Sequence, residues 1–237
     1  MTSSIPLLWL PGLLCDETLF FPVNELLSER IKPVCAELKS LDSMAALARD
    51  ILDTAPENFI LGGLSMGGIL AFEVYRQAPE RVKGMILLDT NSADEKQEVT
   101  DKRNLLVAKA SSGQLSSITP DHLLPVLIHP ERITETALVN DICQMAENIG
   151  VDKFVSHAKA LATRPDARPL LSQISVPSLI ICGRDDLLCP IENHLLMDEM
   201  IANSTLEVIE QCGHLSTLEQ PELVADTINN WIKNNDF

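Results

Sequence analysis

The sequence is short of basic residues: 18 Lys and Arg stand against 34 Asp and Glu, for a formal net charge of −16. A phosphate backbone needs a basic footprint, so nucleic acid is not expected as a partner, and anionic membranes are disfavoured on the same ground. Also missing is any run of the roughly 18 to 20 apolar residues that a membrane helix requires. Pro6, Pro11 and Gly12 interrupt the best candidate. Met1-Thr2-Ser3-Ser4 puts no basic side chain ahead of the first apolar run, so a secretory signal is not expected and a cytoplasmic location is. The six cysteines form no C-x-x-C pair, which leaves zinc unsuggested and reads as reduced, mostly buried thiols. Cys189 and Cys212 lie near residues assigned to chemistry below, and redox sensitivity is kept open for them.

What is present is enough apolar residue for one core: 46% of 237 positions, in short continuous runs that alternate with helical patterns. Strands are expected at 5–10, 33–38, 59–62, 82–89, 176–183 and 206–209. Helices are expected at 17–29, at 43–54 behind an Asp42 cap, after Gly67 as far as Ala78-Pro79, and from about Leu218 to Ile232. Continuous rather than alternating apolar strands imply a mostly parallel sheet covered by helices on both faces, an α/β fold.

One long stretch has no strand. From Ala93 to Ser172 the pattern is helical, with breaks at Gly113, Pro120, Pro125, Pro130, Gly150, Pro165 and Pro169. That is too long for an ordinary connection between two sheet strands. The expected division is a core formed by 1–92 and 173–237, with a helical cap inserted at 93–172.

The chemistry-bearing motif is Gly63-Leu64-Ser65-Met66-Gly67, placed where an apolar strand turns into a helix. Such a turn can hold its serine in a strained conformation with the hydroxyl lifted clear of the sheet edge. The flanking glycines are needed because a Cβ at either position would strike the opposite arm of the turn. A serine that merely caps the helix is the alternative. Partners for Ser65 should follow other strands directly, because ligands in open parallel sheets collect beyond the carboxyl ends of the strands. Gly183-Arg184-Asp185-Asp186 follows one strand with two carboxylates, and Gln211-Cys212-Gly213-His214 follows the last. Ser, Asp, His is the chain order of a nucleophile-elbow triad. A serine hydroxyl is a poor nucleophile at neutral pH, so His214 would take its proton and a carboxylate would orient the ring. His122, His129, His157 and His194 read as solvated or cap-surface residues. Asp89, at a strand end, reads as capping the next turn with Asn91.

These motifs, in this order, resemble the α/β-hydrolase fold superfamily along the whole chain. Gly183-x-x-Asp186-x-x-x-Pro190, and Cys212-Gly213-His214 followed by Glu219-Gln220-Pro221-Glu222, carry the resemblance beside the elbow. Leu10 to Asp16 and the Arg-Pro-Asp-x-Arg stretch Arg164 to Arg168 are similar to the smaller bacterial, carboxylesterase-like serine hydrolases. The resemblance implies a sheet of about six strands and a triad of Ser65, Asp186 and His214, with Asp185 ordering the loop or meeting solvent. It also implies an oxyanion hole from the backbone N–H groups of Leu13 and Met66, with Leu14 the alternative to Leu13. Many relatives have His-Gly where this chain has Pro11-Gly12.

The expected reaction is hydrolysis of a small to medium carboxylic ester through an acyl-enzyme on Ser65, with no metal or organic cofactor. Leu13, Leu14 and Met66 suggest an apolar site that takes a small-molecule ester, in a monomer or homodimer. Thioester or carbon–carbon cleavage, a lyase, or a ligand-binding protein of this fold are the alternatives, because a scaffold alone does not establish hydrolysis.

Overall fold

In the run Ile5–Leu10, neighbouring side chains enter two different cores: Leu8 and Leu10 pack into one, Leu7 and Trp9 into the other. All four are buried, which is why the run is continuously apolar. The computed structural model describes residues 4–237 and places this run as strand β1 (Ile5–Leu10) of a single six-stranded sheet. The others are β2 (Ile31–Cys35), β3 (Phe59–Leu64), β4 (Val82–Leu88), β5 (Ser178–Gly183) and β6 (Ser204–Ile209). All pairings are parallel, in the order β2-β1-β3-β4-β5-β6.

That order positions the site. The chain lays β2 on one side of β1, then crosses over to lay β3 on the other side and continues outward to β6. The direction of winding therefore reverses between β1 and β3, and a crevice opens at such a reversal beyond the carboxyl ends of the strands. Leu10 is in register with Gly63 there, so the loop after β1 and the turn after β3 face the same crevice.

The helices are α1 (Phe21–Asn24), α2 (Met44–Thr54), α3 (Met66–Gln77), α4 (Gln97–Lys109), α5 (Leu124–Leu127), α6 (Thr136–Ala162), α7 (Arg168–Leu171), α8 (Ile191–Met200), α9 (Ser216–Glu219) and α10 (Pro221–Asn234). From α4 to α7 all fall between β4 and β5, and the described residues 93–172 contain no strand. α6 is interrupted at Gly150, where φ is 75°, and a second non-helical turn falls at Gly113 with φ 88°. No helix among the described residues is long and apolar enough to cross a membrane.

Three local expectations change. Residues 17–29 form a short 3-10 turn, Glu17–Phe20, and α1 rather than one helix. Pro22 has no N–H to carry helical bonding across that junction. Asp42 does not cap α2; the Ser43 hydroxyl accepts from Ala46 N–H at 3.3 Å, and Asp42 pairs with Lys159. The closing helix is divided at Gln220-Pro221 into α9 and α10, again because proline cannot donate backward.

Candidate active site

β3 ends at Leu64 and α3 begins at Met66, so the chain reverses in Ser65 alone. Its φ of 55° and ψ of −116° lie where an L-residue is strained. A Cβ on Gly63 would fall 2.4 Å from the Gly67 carbonyl, across the turn as expected. A Cβ on Gly67 would instead fall 1.8 Å from the Leu10 carbonyl oxygen, so this glycine is what lets α3 start hard against β1. The Ser65 N–H donates to Leu88 O at 3.0 Å, and Ser65 O accepts from the Thr90 hydroxyl at 2.7 Å. Its own hydroxyl makes no capping bond, which sets aside the capped-helix alternative.

Strain gathers along the same sheet edge. Leu14 after β1, Ser65 after β3, Asp89 after β4 and Gln211 after β6 all have φ between 45° and 60°. Non-glycine residues tolerate this only where the surrounding structure holds them.

Beyond β5, Asp186 Oδ2 lies 2.8 Å from His214 Nδ1, both groups buried. A carboxylate only accepts, so Nδ1 carries the proton and Nε2 is the basic nitrogen. Asp186 Oδ1 accepts from the Leu188 N–H at 2.8 Å and the Cys189 N–H at 2.9 Å. Burial alone would raise the Asp186 pKa, but the His214 charge and bond, with these two amides, hold it below its usual range. Burial alone would lower His214; Asp186, Asp89 and Glu219 outweigh it and hold the ring above 6.5. Asp185 is exposed, its N–H donating to Cys212 O at 2.9 Å, as a loop-ordering residue should be.

Ser65 and His214 line one cavity of about 260 Å³. Among the described residues no hydrogen bond joins the serine hydroxyl to the imidazole. Leu13, Leu14 and Met66 line the same cavity. Met66 is the first residue of α3, so its N–H has no acceptor within the helix. Among the described residues the Leu13 and Leu14 N–H groups also donate to no protein acceptor.

Two carboxylates that the sequence left without a role at this site support His214. Asp89 does not cap a turn with Asn91: fully buried, it accepts from Gly183 N–H at 2.9 Å and from Ser216 N–H at 3.2 Å. It thereby joins the end of β5 to the start of α9, on either side of the Asp186–His214 pair. Burial, then the Asp186 charge, pushes Asp89 far above the usual carboxylate range. Glu219 accepts from Gly213 N–H at 2.9 Å and Leu215 N–H at 3.3 Å, bracketing His214, and from His129 N–H at 2.7 Å. The Glu-Gln-Pro-Glu motif was visible in the sequence, but nothing in it pointed to these amides.

Two histidines expected at the surface are buried. His194, on α8, is 0% exposed and its Nε2 accepts from Thr90 N–H at 3.0 Å; burial depresses it to about 4. His157, on α6, is 1% exposed with Nε2 2.9 Å from Lys39 O. Both face inward from their helices, which single residues in a sequence do not reveal. His122 is exposed beside Lys109, and His129 approaches Asp185 at 3.7 Å.

Asp186, Cys189 and His214 bring together ligand atoms within 4.8 Å, close enough to suggest a metal. The donors do not suit one: Asp186 and His214 are bonded to each other, and burial and then Asp186 push the Cys189 thiol well above its ordinary value. Burial raises the Cys212 thiol in the same way.

The wall of the cavity is mainly apolar but also carries charge. Beside Leu14, Ile69 and Leu127 it contains Glu95, Arg103 and Arg164. These come from the helical segment, where composition alone could not separate cavity from surface.

Comparison with known proteins bears on the family and the fold. Among curated proteins, the chain is 29% identical over 161 residues to 3-oxoadipate enol-lactonase 2 of Acinetobacter baylyi, a match covering 68% of this chain and 58% of the lactonase. It is 29% identical over 199 residues to the 2-hydroxy-6-oxononadienedioate/2-hydroxy-6-oxononatrienedioate hydrolase of Paraburkholderia phymatum, covering 80% of this chain and 67% of that one. The matches thus span about three fifths to two thirds of these relatives' length. Among solved structures, a thermophilic esterase from Thermogutta terrifontis with malate bound superposes with a TM-score of 0.91 at 26% identity, covering 100% of this chain and 92% of that one. A family model described as the alpha/beta hydrolase family matches residues 7–227, and the chain belongs to that family.

Proposed function

We propose that the protein is a serine hydrolase that cleaves a small carboxylic ester through an acyl-enzyme on Ser65. The observation that carries this reading is the buried Asp186–His214 pair, 2.8 Å apart, whose histidine lines the same cavity as the strained Ser65. In this reading His214 Nε2 takes the Ser65 proton as the hydroxyl attacks the ester carbonyl, and the tetrahedral oxyanion is met by the Leu13 and Met66 N–H groups. The imidazolium gives the proton to the departing alcohol, and Asp186 stabilises it without itself being protonated. Water, deprotonated by His214, then releases the acid and restores Ser65. The helical segment 93–172 acts as a cap: residues such as Val99, Leu123, Leu127 and Ile142 close the cavity from its side.

A second reading, hydrolysis of a carbon–carbon bond on the same residues, is favoured by the 29% identity to the Paraburkholderia hydrolase. Pre-steady-state kinetics with para-nitrophenyl butyrate tests the first reading. A burst of one nitrophenol per enzyme ahead of slower turnover is expected. No burst and no turnover on any activated ester, with cleavage of a vinylogous diketone instead, would move the reading to the second.

A further inference from the structure

Two arginines enter the wall of the 260 Å³ cavity, Arg103 from α4 and Arg164 from the stretch between α6 and α7. Both bind one carboxylate. Glu95 Oε1 accepts from Arg103 Nη1 and from the Thr100 hydroxyl at 2.8 Å, and Oε2 accepts from Arg164 Nη1 at 2.6 Å. The Glu95 side chain is 0% exposed, against 16% for Arg103 and 8% for Arg164. Burial alone would raise Glu95, but its three donors hold it below the usual carboxylate range, so it is ionised. Two cations on one anion leave one positive charge unbalanced.

A structural ion pair would not need the second arginine. Arg164 belongs to the Arg-Pro-Asp-x-Arg stretch, and its Nε donates to Ala93 O at 2.9 Å while Arg168 reaches Asp94 at 3.1 Å. That stretch ties the end of the helical segment to its beginning, and Arg164 with Glu95 already completes the tie. Arg103 is surplus to it. Among the described residues Arg103 Nε and Nη2 and Arg164 Nη2 have no protein acceptor. Thr119, on the same cavity, is 2% exposed with an unpaired hydroxyl. An unbalanced guanidinium in a mainly apolar cavity is costly unless an anion completes it, and the planar fork matches a carboxylate. The imbalance sits in a protein whose net charge is −16, so it is local and not a by-product of composition.

We propose that Arg103 and Arg164 form a carboxylate-recognition subsite, so that the substrate is an ester carrying a second, ionised carboxylate away from the bond that breaks. This rests on the serine-hydrolase reading for the reaction but not for the binding. Glu95 holds the two forks in place and is itself covered, while Thr119 offers a further donor.

The test compares mono-para-nitrophenyl glutarate, with a free carboxylate on the acyl side, against its methyl ester, and meta-acetoxybenzoate, with the carboxylate on the alcohol side, against its methyl ester. Wild type is expected to favour the anionic member of one pair by roughly 10- to 100-fold in kcat/KM. Arg103→Gln should bring that ratio to near 1, and Arg103→Lys should restore part of it. In parallel, Ser65→Ala protein is titrated calorimetrically with glutarate and with dimethyl glutarate, so that binding is read without turnover. Hydrolysis with no anionic preference in either pair, or a ratio unchanged by Arg103→Gln, overturns the subsite and leaves the hydrolase. Glutarate binding that Arg103→Gln abolishes, with no ester hydrolysed, upholds the subsite and overturns the hydrolase reading. Neither binding nor hydrolysis overturns both.

Discussion

Asp186, not its neighbour Asp185, accepts a hydrogen bond from His214 Nδ1–H, across 2.8 Å, while Asp185 turns to solvent. Replacing Asp186 by Asn removes the partner that fixes the tautomer and stabilises the imidazolium, so kcat on an activated ester should fall by up to roughly 10⁴-fold. Asp185→Asn, which leaves the loop's backbone bond to Cys212 intact, should cost less than about threefold on the scale of a surface change. Steady-state kinetics of the two variants decide the assignment, and the reverse ranking would reassign the acid.

The same pair sets the pH dependence. His214 is held above 6.5 by Asp186, Asp89 and Glu219 against its burial, so kcat/KM should rise with pH through a midpoint above that value. The acid form, fully present below the midpoint, cannot take the Ser65 proton. Asp89→Asn removes one of the carboxylates that raise the ring, and the midpoint should move to lower pH while the limiting rate falls less than in Asp186→Asn. A pH–rate profile of each protein checks this; an unmoved midpoint would remove Asp89 from the electrostatics of the site.

His194 gives a stability signature of opposite sign. Its folded pKa of about 4 lies below the unfolded 6.5, so the unfolded chain takes a proton first and the contribution is lost as pH falls from 6.5 towards 4. The size is on the order of 3 kcal/mol for this group alone. Asp89 and Glu219, whose folded pKa values are raised, run the other way below neutrality, so the difference between wild type and variant is the readout. Urea midpoints of wild type and His194→Gln between pH 7 and 4.5 should converge as the pH drops.

Close approach at the elbow separates two glycines. A Cβ on Gly67 meets the Leu10 carbonyl oxygen at 1.8 Å, whereas one on Gly12 meets only ordinary contacts at 3.4 to 3.6 Å. Gly67→Ala should lower the thermal midpoint by more than about 5 °C or prevent folding, and Gly12→Ala should shift it by less than about 2 °C. Thermal melts followed by circular dichroism distinguish them.

What was legible in the sequence follows from how local each signal is. Strands such as Ile5–Leu10 were readable because burial on both faces makes them continuously apolar. Ser65, Asp186 and His214 could be singled out as candidates because each lies within a few residues of a strand end, and topology brings strand ends together. Asp89 and Glu219 were not, since their partners are backbone N–H groups, which every residue but proline carries and no sequence pattern advertises. His194 and His157 were misplaced because one histidine on a helix does not say which face it occupies. The charged part of the cavity was missed because Glu95, Arg103 and Arg164 meet only after the helical segment folds back on itself.

The central claim is that Ser65 is the nucleophile. Incubation with a fluorophosphonate, followed by intact mass and peptide mapping, should add one adduct to wild type, on Ser65, and none to Ser65→Ala. Wild-type protein that folds and takes no adduct, or takes one elsewhere, would contradict the account.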